Sequence, residues 1–368
     1  MVTLILAILY CVVLIHGKHF NGGTIHWEPI DPYANSSTVS ISITQTYSWA
    51  YPTISCATNV PISTTGRSSA NTNLTCIADC STDGGYSTKP INILTDCIST
   101  SSSLGMMTSE RSTNITLSAG AHFYLSYMGS AWIPIDDPSQ SGLQWSITTF
   151  IDIRLRDDGF INTPPVASFV SPQYTVYTCS PLSHTTISTT IETSGTIAST
   201  LSYGTRQAID ECGGICYPNG LPNGTTLSNC TLSFTGLVPN TWYAVAIQVE
   251  DFINESSTTP MSSVPIQFLI YVMPDPFCSQ PPVIIPYVDC MEVLTDIQKS
   301  FSIYAMTMCD PNNVDIAEFV ITTGISGMVV GNLMKSTTNS SLSYRSFTWA
   351  PQTNQIGLEE LCMIAYTE

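Results

Sequence analysis

The sequence predicts an all-β chain: three tandem β-sandwich modules, each stapled by disulfides, behind a signal peptide. Three observations carry that expectation. Apolar and polar residues alternate over many short runs, the period of a strand with one buried face. Clusters of Gly, Pro, Asn and Asp separate the runs, as turns do. Apart from one cysteine near the start, the cysteines fall into three groups of four. The chain has 368 residues, room for two or three domains of about 150 residues each.

The first element is apolar and short. Leu4 to Ile15 is an unbroken apolar run of twelve residues, which suits the core of a secretory signal and falls short of the ~20 that a membrane span needs. Residues 1–17 are expected to be removed after Gly17. The longest later apolar stretch, Val264 to Met273, alternates like a strand. The chain is therefore expected to be exported, secreted or held at the cell surface, with no transmembrane segment of its own.

Composition agrees. Charged residues make up 10% of the chain, against about 25% in a typical domain. The net charge of −17 excludes nucleic acid and anionic membrane as partners, because nothing here would displace counterions from phosphates. The acid is spread, −5, −5 and −7 over the three segments below. Sugars explain how so few charges keep the surface polar: Asn-x-Ser/Thr acceptors stand at Asn35, Asn73, Asn114, Asn223, Asn229, Asn254 and Asn339.

Thirteen cysteines also speak for export. Cys11 leaves with the signal. The rest group as Cys56, Cys76, Cys80, Cys97; Cys179, Cys212, Cys216, Cys230; and Cys278, Cys290, Cys309, Cys362. Pairing is expected within each group, and each group allows three connectivities. The pairs Cys76/Cys80 and Cys212/Cys216 have no histidine near them and are spaced C-x3-C, so disulfides are favoured over zinc.

The strands follow in order. Val39-Ile41-Ile43 and Phe123-Leu125-Tyr127 alternate, and Leu143 to Leu155 reads as one long half-buried strand. Tyr243 to Val249, Val264 to Ile270 and Phe301-Ile303 repeat the pattern. Asp83-Gly84-Gly85, Asp157-Asp158-Gly159, Pro218-Asn219-Gly220, Pro222-Asn223-Gly224 and Asp310-Pro311-Asn312 are the turns. Proline pairs at Pro164-Pro165 and Pro281-Pro282, with Met273-Pro-Asp-Pro between them, divide the chain into 18–163, 164–273 and 274–368.

Two stretches resemble known modules. Leu232-SFTGLVPNTWYAVAIQV to Val249 is similar to the E and F strands of a fibronectin type III domain, which makes Tyr243 a tyrosine-corner residue. Phe347-TWAPQTNQIG to Gly357 is similar to the Trp-x-Pro turn of cadherin-like and immunoglobulin-like modules, with Trp349 capping the core and Leu361-CMIAY as the penultimate strand. The whole chain resembles a family of secreted or cell-surface modular animal proteins, through His19-FNGGTIHW, Ile151-DIRLRDDGFINTPP, Tyr243-AVAIQVEDF and Ser263-VPIQFLIYV. That resemblance implies no catalysis, and implies that the third module lacks its last strand.

Catalytic and phosphate-binding motifs are missing: no Gly-x-Ser-x-Gly, no His-Glu-x-x-His, no phosphate loop. His19 and His26 lie seven apart on one expected strand and face opposite sides; His122 and His184 are scattered. One metal site is a candidate. Carboxylates gathered where sandwiches meet bind calcium in cadherin-type junctions; here Asp152, Asp157 and Asp158 precede the first junction, and Glu250, Asp251 and Asp275 bracket the second. No other cofactor is expected. Asn21-Gly22-Gly23 and Gly129-Ser130-Ala131-Trp132 are the expected exposed contact loops. The expected function is non-catalytic recognition or adhesion of an extracellular protein or glycan. The alternative is a secreted hydrolase or carbohydrate-binding protein whose site is built from distant strands.

Overall fold

The computed structural model describes residues 20–60, 72–102, 105–130, 132–136, 139–166, 186–191, 197–200, 206–216, 219–222, 224–228, 231–233, 241–254, 256–257, 259–272, 280–285 and 291–367. The expected signal at 1–17, Cys179, Cys230, Cys278, Cys290, His19, His184, Asp275, Asn223 and Asn229 lie outside them. The fold is all-β, with strands joined by turns and a few 3-10 turns. The first six strands are β1 (Phe20–Pro29), β2 (Thr38–Ala50), β3 (Thr75–Ala78), β4 (Asp96–Ser101), β5 (Met106–Ser118) and β6 (His122–Ser130). A two-residue pair, β7 (Ile135–Asp136) and β8 (Ser139–Gln140), leads into β9 (Gln144–Asp152). Next come β10 (Thr186–Ile191) and two small hairpins, β11 (Ile197–Thr200) with β12 (Arg206–Ala208) and β13 (Thr226–Ser228) with β14 (Thr231–Ser233). The long β15 (Thr241–Phe252) and β16 (Ser262–Val272) follow.

Ten of these strands share one sheet, in the order β3-β6-β9-β16-β1-β2-β5-β4, with β15 on β16 and β10 on β15. β16 is the joint. One edge pairs with β15 along its whole length. The other meets β1 at Gly23↔Gln267 and Thr24↔Ile266, and β9 at Ser263↔Phe150. This corrects the expected division at 163/164. β9 already ends at Asp152, well before Pro164-Pro165, and the chain returns to the same sheet in β10, β15 and β16. Asn162 Nδ2 donates to Asp251 Oδ2 at 2.7 Å across that supposed boundary.

The main core lies between β1 and β2 on one side and β6 and β9 on the other. Phe20, Tyr47, Trp49, Tyr127, Trp132 and Trp145 meet there, with Phe20 stacked on Trp145 at 4.8 Å and edge-on to Trp132 at 4.8 Å. Each such ring removes about 150–250 Å² from water, about 4–6 kcal/mol of transfer free energy. The two expected contact loops are part of this core. Asn21 and Trp132 are fully buried, and Gly22 and Gly23 lie inside β1. Gly22 has φ +136°, and a Cβ there would stand 2.3 Å from the Gln267 carbonyl oxygen; a Cβ on Gly129 would stand 2.3 Å from Trp145 Cζ2. These glycines let backbone and indole approach; they do not mark exposed turns.

The strand expected to be half-buried, β9, is buried on both faces. Its odd positions, Trp145, Ile147 and Ile151, enter the aromatic core. Its even positions are covered by residues 209–216, closed by the Cys212–Cys216 disulfide. Ser146 Oγ donates to the Asp210 carbonyl at 2.5 Å. Gln267 Nε2 donates to the carbonyls of Ser146 at 2.6 Å and Glu211 at 3.0 Å, and Gln248 Nε2 to that of Thr148 at 2.9 Å. Most polar groups buried here are satisfied by one another, which is what makes their burial tolerable; Gln267 Oε1 has no such partner. β15 is double-faced in the same way. Ala244 and Ala246 enter the main core, while Tyr243, Val245, Ile247 and Val249 pack with Val264, Ile266 and Phe268 in a second one.

Residues 274–368 form separate sheets among the described residues. β17 (Val283–Ile285), β18 (Lys299–Met306), β20 (Val329–Lys335) and β21 (Leu342–Trp349) make one sheet in the order β17-β18-β21-β20, and β19 (Ile316–Thr323) pairs with β22 (Cys362–Thr367) in a second. Ala305, Ile316 and Phe319 are buried between them. Arg345 crosses this layer to the carbonyl of Phe319, at 2.7 Å. Ser101 Oγ donates to Glu318 Oε2 at 2.6 Å, tying β4 to β19.

Bridges Cys56–Cys97, Cys76–Cys80 and Cys212–Cys216 each stay within an expected group, and Cys309 is also disulfide-bonded. Cys362 Sγ donates to Glu360 Oε1 at 3.4 Å.

Candidate binding groove

Among the described residues the calcium candidates do not converge. Asp152 ends β9 and is clasped by Arg154, whose Nε lies 2.8 and 3.0 Å from its two oxygens. Asp158 pairs with Arg156 at 2.6 Å, and Asp157 is exposed beside it in the turn. Asp251 is buried on β15 and accepts from Asn162 Nδ2 and from Ser262 Oγ. Burial pushes its carboxyl up, against these hydrogen bonds. Glu250 is half-buried next to it. Adjacent strand residues point to opposite faces, so Glu250 and Asp251 are not a pair. Each acid with a described partner is therefore used within the fold. The one tight group of metal-type donors among the described residues is Asp210 with Cys212 and Cys216, and its two sulfurs are bonded to each other. Asp210 Oδ1 accepts from the backbone N–H of Gly213 at 2.7 Å, as a turn residue does.

The two described histidines stand on different strands. His26 lies on β1, and burial lowers its pKa from 6.5 to about 4. His122 opens β6, with Nδ1 3.0 Å from the Gly120 carbonyl. Of the glycan acceptors, Asn35, Asn114, Asn254 and Asn339 are exposed and Asn73 is half-buried. Trp349 caps the third unit, with Nε1 3.3 Å from the Ser326 carbonyl and the ring 9% exposed.

Beside Trp349 the third unit opens into an apolar groove of about 1060 Å³. Its floor is Ile284, Phe301 and Ile303 from the four-stranded sheet, with Met363 from β22. Phe301 is held flat by stacking on Phe347, 5.4 Å away. Segments 291–295 and 355–361 form the walls. Alternating side chains explain the floor: Phe301 and Ile303 share a face of β18, two residues apart. Turns fix the walls. Asp296 N–H donates to the Pro351 carbonyl at 2.8 Å, and Gln355 Nε2 to that of Ser326 at 3.0 Å.

Large apolar side chains stay in water along this groove. Leu294 is 70% exposed, Ile356 78% and Leu358 88%. Among the described residues, Glu292 and Glu359 are its charged lining residues, and no Lys, Arg or His lines it. A contiguous exposed apolar surface with a polar rim is the usual form of an interaction site. Phe301, Ile303, Trp349 and the stretches 347–357 and 361–366 read in the sequence as strands and a core cap, not as a contact surface, and Leu294 and Leu358 are not singled out there. The signal was there: Ile356-Gly357-Leu358 and Leu294 are large aliphatics outside any alternating run, next to acids, where a solvated loop needs none. No family model, curated protein or solved structure matches the chain.

Proposed function

We propose that this chain is a non-catalytic extracellular recognition protein, and that the groove of the third unit is its contact surface. The observation that carries the reading is the exposure of Leu294, Ile356 and Leu358 along a groove whose walls are pinned by backbone hydrogen bonds. Such exposure is unfavourable in isolation and is relieved when a ligand covers it. Export is supported by the described disulfides, by four exposed glycan acceptors, and by the apolar run at the amino terminus. No helix among the described residues is long and apolar enough to cross a membrane. Cell-surface or matrix adhesion is the class of role this supports.

The test is binding of the purified secreted chain to cells and matrix proteins. The double variant Leu294→Glu/Leu358→Glu is expected to lose that binding while keeping its unfolding midpoint, because both side chains already face water. Unchanged binding by this variant would remove the groove from the account. Turnover of a glycosidic or peptide substrate, abolished by changing one carboxylate or histidine, would replace recognition by catalysis.

A further inference from the structure

We infer that the first sugar of a glycan on Asn35 lies against the rings of Tyr33 and Phe160, so that this glycan is a packed part of one end of the main sheet. The inference needs export, as the recognition reading does, and does not need the groove. Three observations point to it.

The first is a pair of aromatic rings left in water. Tyr33 is 68% exposed and Phe160 39%, yet their rings meet edge to face at 4.9 Å. The backbone around them is fixed. Tyr33 N–H donates to Asp31 Oδ1 at 2.9 Å and Phe160 N–H to Asp158 Oδ1 at 3.2 Å. Ile161 N–H donates to the Pro32 carbonyl at 2.9 Å, which ties the two loops together. The second is the acceptor. Asn35-Ser36-Ser37 is a glycan acceptor, and the exposed Asn35 stands two residues after Tyr33. Two residues span at most about 7 Å, within reach of a sugar ring on the Asn35 side chain. A pyranose carries a face of C–H groups with slight positive charge, and the face of an aromatic ring is negative. Packing the two removes apolar surface of both from water. The third is the setting. β1, β9 and β15 all run antiparallel to β16, so the loops that follow them share one end of the sheet. Ile30, Leu155 and Ile253 are exposed at that end as well, and an exposed apolar patch is usually a covered one in the working molecule. Asn254, a second exposed acceptor, stands in the loop after β15. Sugars here are bulky and obstruct a protein partner, whereas the Asn35 glycan is already tethered beside the rings. Attachment uses a lipid-linked oligosaccharide of the secretory route. Asn35 Nδ2 forms the bond to the sugar C1, the bond from C1 to the lipid diphosphate oxygen breaks, the diphosphate leaves with that electron pair, and an amide proton passes to a base of the transferase.

The experiment uses the full secreted chain with its glycans trimmed to one N-acetylhexosamine each. Glycopeptide mass spectrometry measures occupancy of Asn35, and nuclear magnetic resonance reads the acetyl methyl of its sugar, assigned by its loss in Asn35→Gln. Asn35 is expected to be occupied, with its methyl shifted upfield of those on Asn114 and Asn339. The shift is expected to vanish in Tyr33→Ser and in Phe160→Ser. Both rings are exposed, so both variants keep the fold, and the second leaves the residues around the acceptor unchanged. Unfolding in urea supplies a second readout. Asn35→Gln and Tyr33→Ser should each lower the midpoint, and the double variant should fall no lower than the worse single one, whereas Asn339→Gln and Tyr33→Ser should add. An unshifted methyl, or additive losses for Asn35 and Tyr33, overturns the inference. So does an empty Asn35 while other acceptors carry sugar, and the recognition reading then survives. Absence of sugar at every acceptor together with a retained Met1 removes export, and both readings fall.

Discussion

His26 gives the sharpest thermodynamic expectation. It sits on β1 opposite Thr44 of β2, its Nδ1 is buried without a hydrogen-bond partner, and burial brings its pKa from 6.5 to about 4. Burial is the sole cause, so no carboxylate compensates a proton there. Between about 6.5 and about 4 the unfolded chain accepts a proton that the folded chain refuses. The contribution is therefore fully present above the unfolded value, is lost as pH falls, and levels off below the folded one. At ~1.4 kcal/mol per pH unit the interval amounts to about 3 kcal/mol, a large part of the ~5–15 kcal/mol that holds a domain folded. Urea unfolding with disulfides intact, at steps from neutral pH down to about 4, measures it for the wild type and for His26→Gln. The variant should lose the His26 part of the slope while every other titrating group cancels in the comparison. That includes Asp251, whose raised carboxyl works in the opposite sense. Parallel curves for the two proteins would refute the reasoning.

Two further outcomes follow from the staples and the aromatic core. Cys56–Cys97 closes a separation of 41 residues and Cys76–Cys80 one of 4. Chain entropy assigns about 4 kcal/mol to the first and about 2 kcal/mol to the second, so paired Cys→Ala variants should differ by about 2 kcal/mol in chemical unfolding, with the longer bridge costing more. Gly129→Val places carbon where the Trp145 ring already lies, 2.3 Å from Cζ2. Overpacking of that kind costs about 3 kcal/mol, and near-ultraviolet circular dichroism should show the tryptophan signal altered.

Strand existence was legible and strand company was not. Val39, Ile41 and Ile43 alternate, and β2 buries them on one face; the same holds for Phe123, Leu125 and Tyr127 on β6. Alternation reports only whether a face is buried. It is silent about the neighbour, because the pairing of β16 with β1 is fixed by contacts between residues far apart in the chain. Glycine was misleading for a related reason. Gly22 in a strand and Gly85 in a turn look alike locally, but a Cβ on Gly22 would meet the Gln267 carbonyl while one on Gly85 would meet nothing within 4 Å. The covering of Ser146 and Thr148 by residues 209–216 turned an expected polar face into a second interior. Acid pairs such as Asp157-Asp158 suggested a metal, but their partners are arginines two residues away or turn geometry. Exposed aliphatics such as Leu294 and Leu358 were legible, but the groove they line was not, because it depends on how the third unit folds segments 291–295 and 355–361 around Phe301 and Ile303.

The place of β16 between β1, β9 and β15 bears on how the chain is made. β1 leaves the ribosome near the start of synthesis, and the strand that completes its sheet comes last, ending at Val272. At about 5–20 residues per second the interval is roughly 10–50 s. Throughout it, the aromatic inner faces of β1, β2, β6 and β9 lack the strand that joins them, while Cys56 and Cys97 are already close enough in sequence to be oxidised. Early oxidation would hold β4 and its surroundings in register and leave the aromatic strands waiting. A chain interrupted before Ser262 would then retain its early bridges but leave its aromatic faces in water, detected by binding of a hydrophobic dye.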